Sequence, residues 1–184
     1  MRVNTWICLA GALCSSAVYA GGVGLGATRL VYSSATSQAM MQVRNTHPDA
    51  TFLIQSLYVM KPASESAVKI MFTGKALPED RETLYWMTVK AIPQQAKSGT
   101  GNTLQFASAN RIKVFYRPEG LSETPGEAWK KLAGAYRAGK VTLSNPTPYY
   151  LTTINVKIDG MPVQPVMVPP KGSVTPATRA SLSQ

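Results

Sequence analysis

The feature that most constrains this chain is a rhythm of short runs rich in β-branched and aromatic residues, cut at intervals by turn formers. Between Thr28 and Thr73 the runs are Arg29–Tyr32, Ala39–Val43, Phe52–Val59 and Ala67–Phe72. Ser33-Ser34, the stretch Asn45–Asp49, Lys61-Pro62 and Gly74-Lys75 separate them. Strand-length runs at this spacing suit an antiparallel sandwich better than βαβ units. Two longer segments follow. Glu82–Ile92 stops at Pro93, and Leu104–Tyr116 stops just before Pro118, because proline ends regular ladders and restricts the residue before it. Between them the polar stretch Gln94–Asn102 reads as a mobile loop. Alternation along the second segment places Leu104, Phe106, Ser108, Asn110, Ile112 and Val114 on one face and Lys113 on the other.

The second half continues the pattern more loosely. Pro118–Gly126 carries two prolines and two glycines and reads as a linker. Glu127–Leu132 has the composition of a short helical turn. Strands are expected over Ala133–Arg137, Val141–Asn145 and Leu151–Ile158, with turns at Ala138-Gly139 and Asp159-Gly160. Lys171–Gln184 is mostly small and polar and is expected to be poorly ordered. No internal repeat or heptad is visible. A hydrophobic content of 45% over 184 residues is enough for a packed core.

The one long apolar run lies at the N-terminus. Arg2 gives a basic start, Trp6–Val18 is uncharged, and Val18-Tyr19-Ala20 offers the small residues that signal cleavage needs. Cleavage is expected after Ala20. The run is short for a retained anchor, and Leu13 stands where lipid attachment at Cys14 would want a small residue. Cys8 and Cys14 are the only cysteines, so the exported chain would hold no disulfide. Loss of Arg2 takes the net charge from +10 to +9. These cations are thinly spread, with only Lys130 and Lys131 adjacent. That favours a soluble basic surface over nucleic-acid binding, and the confinement of the long apolar run to the N-terminus argues against stable membrane insertion.

Catalytic constellations are scarce. His47 is the only histidine and sits in a His-Pro-Asp turn with no metal-ligand partners at suitable spacing. No nucleophile elbow or phosphate loop is present; Gly22–Gly26 follows no strand and opens no helix. The densest charge run, Glu79-Asp80-Arg81-Glu82, reads by composition as a solvated turn. Neither an enzyme nor a cofactor or metal is expected. A long strand with an apolar face and a flanking cation is, by contrast, an element that pairs with a guest strand. The other reading is that Leu104 and Phe106 face the chain's own core, and composition does not choose between the two.

From Ala27 onward the sequence resembles the periplasmic chaperones of the chaperone–usher pilus pathway. Four stretches carry the resemblance: Ala27–Tyr32, the signature-like Leu77–Pro93, Asn110–Pro118 and Asn145–Tyr150. The resemblance implies an all-β protein of two immunoglobulin-like sandwich domains, here the first lacking an edge strand and the second incomplete. Its boundaries would be residues 1–20 as signal peptide, 21–120 as the N-terminal domain, and 121–184 as a shortened C-terminal domain with a disordered tail. It implies that Arg29 and Lys113 hold the C-terminal carboxylate of a pilus subunit. Leu104, Phe106 and Ser108 would insert into the subunit's open groove, and Glu82 would pair with Arg117 at the domain boundary. The partners implied are pilus subunits in the periplasm and then the outer-membrane usher.

Several positions depart from the family pattern. Ser108 stands where a larger apolar residue is usual, which should weaken the guest contact by about 1–3 kcal/mol if buried. Thr88 replaces an asparagine. A strand expected between Val59 and Ala67 is missing, so Phe52–Val59 should run almost directly into Ala67–Phe72. From Glu123 onward 62 residues remain, against roughly 100 for a complete sandwich, and an acidic partner for Arg117 and Glu82 is absent. Two rival readings follow: a non-functional, truncated remnant of such a chaperone, and a secreted sandwich that binds carbohydrate or builds the pilus itself. The second would ordinarily carry a donor-strand extension and a disulfide.

Overall fold

A computed structural model describes residues 21–54, 58–94, 106–158 and 160–176. The elements are nearly all strands. In chain order, β1 is Val23–Leu25, β2 Arg29–Ser33, β3 Ala39–Asn45, β4 Phe52–Ile54, β5 Tyr58–Met60, β6 Glu65–Ile70, β7 Thr83–Pro93 and β8 Ser108–Arg117. A helical turn α1 (Pro125–Ala128) runs into a 3-10 turn over Trp129–Lys131. Then come β9 Ala133–Arg137, β10 Lys140–Asn145, β11 Leu151–Thr152, β12 Lys157–Ile158, β13 Met161–Pro162, β14 Met167–Val168 and β15 Gly172–Val174. The larger sheets have the strand orders β2-β8-β7-β4-β5, β1-β3-β6 and β15-β10-β9.

By contacts the chain divides into two compact units. The first combines the stretch ending at Gly26 with Gln42–Ser66 and Val89–Asn110. There β4 pairs antiparallel with β5 and with the end of β7, setting Ile54 opposite both Tyr58 and Ala91. Val43, Ile54, Met60, Val89 and Ala91 are buried in it. Asn45, also buried, ends β3 by donating to the carbonyls of Ala50 and Lys61 at 2.8 and 2.9 Å. Its Oδ1 accepts the His47 amide at 3.0 Å, and His47 Nδ1 in turn accepts the amides of Asp49 and Ala50. His47 is therefore used as a turn-former, its ring nitrogen closing the loop that Pro48 begins.

The second unit combines Ala27–Met41, Ala67–Thr88 and the chain from Arg111 onward. Here β2 and β8 pair in parallel, from Arg29 opposite Lys113 to Ser33 opposite Arg117. Tyr32, Ile112, Val114 and Phe115 are buried along these strands. Further along the chain Val141, Leu143, Val163 and Val168 form a core, with Leu132, Val156, Ile158, Val166 and Val174 packed around it. Asn145 repeats the use made of Asn45. It donates to the carbonyls of Tyr149 and Pro169 at 2.7 and 3.0 Å, while its Oδ1 accepts the Thr147 amide and hydroxyl. A strand-ending asparagine closing the next turn spares two buried polar groups from being left unpaired.

Three sequence expectations need correction. The run Phe52–Val59 is not one strand: β4 and β5 pair with each other antiparallel. Between β5 and β6 lie only Lys61–Ser64, with Ala63 at φ 46° making the turn. Leu151–Ile158 also breaks, because Asn155 takes φ 56° between β11 and β12. The tail is ordered further than its composition indicates. Gly172–Val174 pairs with Leu143–Asn145, and Lys171 makes an ion pair with Asp80. Backbone pairing needs no apolar side chain, so composition could not announce it. The segment 1–20 expected to be a signal peptide, most of the loop 94–102, and residues 177–184 lie outside the described residues.

Candidate functional site

In the second unit, β8 carries Arg111, Lys113, Phe115 and Arg117 on one face by strand alternation. Parallel pairing with β2 sets Arg29 directly beside Lys113. Trp86, from β7, supplies a ring on the same face. The Arg111 guanidinium lies 4.6 Å from the ring centroid and the Lys113 ammonium 5.8 Å from it. Thr28, Arg29, Trp86, Arg111, Lys113, Phe115 and Thr152 line a hollow of about 250 Å³. Among the described residues no carboxylate lines it. Among the described residues none of Arg29, Arg111 and Lys113 makes an ion pair, whereas Arg44, Arg81, Arg117, Lys131 and Lys171 do. An unneutralised cluster with side-chain room beside it can receive an anion.

Four residues further along the same face, the arrangement is closed. Arg117 donates from both Nε and Nη2 to Glu82 Oε1, each at 2.8 Å. The other carboxylate oxygen accepts the Tyr150 amide at 2.9 Å, and the Glu82 amide reaches the Pro148 carbonyl at 2.8 Å. The Glu82 side chain is 3% exposed. The Arg117 guanidinium also stacks 5.1 Å from the Tyr149 ring. Tyr149 donates its hydroxyl to the Glu123 carbonyl at 2.6 Å, and burial raises its pKa. Glu82 is thus no part of a solvated turn; its neighbours Glu79 and Asp80 are exposed as composition predicts.

The head of β8 lies in the first unit and differs from the rest of the strand. Phe106, expected within the strand, precedes it by two residues and is 78% exposed, and Ser108, Ala109 and Asn110 at the head of β8 are exposed too. Ile112 and Val114, of the same parity, are 6% and 7% exposed. Among the described residues β2 pairs with β8 only over Lys113–Arg117, so residues 108–112 have no strand on that side. Phe106 therefore does not serve the chain's own core. Leu104 lies outside the described residues. Arg111 and Trp86 are site neighbours that the motif reading passed over. The signal was available: Arg111 has the parity of Lys113.

The family described as pili and flagellar-assembly chaperone, PapD N-terminal domain, matches residues 50–122, and pili assembly chaperone PapD, C-terminal domain, matches residues 127–184. The probable fimbrial chaperone protein ElfD of Escherichia coli K12 is 44% identical over 177 residues, covering 85% of this chain and 76% of the relative. The chaperone protein FimC of the same strain is 40% identical over 174 residues, covering 84% and 72%. Among solved structures, the periplasmic chaperone SfaE superposes with a TM-score of 0.70 at 36% identity, covering 86% of this chain and 87% of that one. A structure of Salmonella enterica SafA pilin in complex with the SafB chaperone gives 0.73 at 28% identity, covering 84% and 83%.

The fold is all-β, and the family that matches it is one of chaperones, not an enzyme family. The chain belongs to the PapD-like pilus assembly chaperones, whose fold is two immunoglobulin-like β domains. Among the described residues, no helix is long and apolar enough to cross a membrane.

Proposed function

We propose that this chain is a periplasmic chaperone that binds pilus subunits by lending them a β-strand, and that it hands them to an outer-membrane usher. The observation that carries the reading is the approach to β8: an apolar side chain, Phe106, 78% exposed two residues before a strand whose edge, among the described residues, is open over 108–112. An open edge with outward apolar groups is unfavourable for a chain in isolation and is useful only when a guest covers it. In this reading Leu104, Phe106 and Ser108 enter the subunit's groove. Arg29 forks onto the subunit's terminal carboxylate with two parallel hydrogen bonds, and Lys113 adds a compact charge. The fixed anchor sets the register in which the guest pairs with β8. Strand pairing and apolar burial supply the free energy, so no nucleotide is required. The domain-boundary role falls to Glu82 and Arg117, in keeping with the residues 21–120 and 121–184 as its two domains.

The test is periplasmic co-expression with a candidate subunit, followed by purification on the chaperone, beside Lys113→Ala. A complex that forms with the parent and is lost in the variant is the expected result. A complex held equally by both rejects the anchor. A chain that aggregates alone and captures nothing favours the remnant reading.

A further inference from the structure

We propose that Arg111, held on Trp86, is a third cation of the anchor, and that it reads a second carboxylate close to the guest's C-terminus. The inference rests on the anchor reading above and extends it from one negative charge to two. Three observations lead to it. Arg29, Arg111 and Lys113 share one face around a single hollow of about 250 Å³, and among the described residues no carboxylate lines that hollow. A lone terminal carboxylate has two oxygens; the Arg29 fork and the Lys113 ammonium already occupy most of their acceptor positions. Arg111 is then surplus to a single carboxylate. It is also not a loose surface side chain, because its guanidinium lies 4.6 Å from the centroid of the Trp86 ring, which Lys113 approaches at 5.8 Å.

Trp86 is a positioning residue in this scheme. Its ring attracts both cations to one place, which offsets part of their mutual repulsion and limits the orientations each can take. Groups ordered before binding lose less entropy when the ligand arrives. The site therefore prefers chain ends that carry Asp or Glu in one of the last residues over ends with a terminal carboxylate alone. The hollow has room for both groups, and Thr28 and Thr152 on its wall offer hydroxyls to the oxygens left over.

Direct binding of three labelled peptides to the full mature chain tests this. They share one subunit-like C-terminal sequence, the first with a penultimate Glu, the second with Gln in its place, the third with Gln and a C-terminal amide. The parent should bind the Glu peptide about three- to tenfold more tightly than the Gln peptide. Arg111→Gln should bring that ratio to about one, weakening the Glu peptide several-fold more than the Gln peptide, and a melting curve matching the parent's shows that the variant is folded. Arg111→Lys should keep part of the ratio, and Trp86→Leu should reduce it with all three cations present. An equal loss for both acid-ended peptides in Arg111→Gln, no preference in the parent, or no peptide binding at all overturns the proposal. The amide peptide and Lys113→Ala report on the anchor separately: if neither weakens binding, it is the anchor that fails, whatever Arg111 does.

Discussion

Arg117 and Lys113 stand on one face of one strand, four residues apart, yet they live in opposite electrostatic circumstances. Arg117 gives two hydrogen bonds to a carboxylate that is itself nearly sealed from water and tied to the Tyr150 amide. Lys113 has Trp86 and a neighbouring Arg29, and no anion among the described residues. Periodicity alone treats the two as equivalent strand cations, and only the family resemblance distinguishes them in the sequence. Their partners separate them: one charge is already neutralised within the fold, and the other, beside a hollow, is left available to an anion.

The sharpest way to break that contrast is at Glu82. Glu82→Ala leaves Arg117 without its carboxylate and the Tyr150 amide without its acceptor, so it should cost about 2–4 kcal/mol of stability. The Arg117 side chain is 31% exposed, which holds the figure below that of a fully sealed pair. A chemical denaturation midpoint unchanged from the parent's would show that the pair is not structural. Lys113→Ala should do the reverse. Subunit affinity should fall about a hundredfold, while the same denaturation curve moves by less than about 0.5 kcal/mol. Phe106→Asp comes next, with a loss of about tenfold in capture and no change in melting, because the side chain is already in water. Capture at full strength in that variant would place the guest contact elsewhere.

The smallest effect belongs to an ion pair of the exposed kind. Hydrogen bonds from Arg81, then Lys171, hold the Asp80 carboxyl well below the ordinary carboxylate range. A depressed folded-state value means that its contribution is present above about pH 4, where the unfolded group is ionised. It is lost only as the pH falls through the lowered folded value. Asp80→Asn should therefore melt slightly below the parent at neutral pH, and the gap should close only in strong acid. A gap that widens on acidification would reverse the sign.

The strands of the first half were legible because alternation and turn residues agree there, as in β2, β3 and the long β7 and β8. The hairpin of β4 and β5 was not. The run Phe52–Val59 holds no Gly, Pro, Asn or Asp to mark a reversal, and only the pairing of Ile54 with Tyr58 reveals one. Asn155 and β15 escaped for similar reasons: a left-handed residue and a backbone ladder leave little trace in composition. At the site, Arg29 and Lys113 came from the resemblance, and periodicity alone could not have joined them. The burial of Glu82 hides inside a charge run whose other acids are exposed. Arg111 needed only the parity of β8, but its meaning needed the Trp86 ring, and cross-strand neighbours are set by register.

The parallel pairing of β2 with β8 carries a last consequence, one of timing. Arg29 and Lys113 are 84 positions apart in the chain, and they become neighbours only when the first and last strands of that sheet meet. Bringing such distant segments together is entropically costly and kinetically late. A half-folded copy thus lacks the cation cluster, however well its local hairpins have formed. On the proposed function, the grip on a client would be assembled by completion of the chaperone's own fold, so an immature molecule could not seize a guest it is unable to hold.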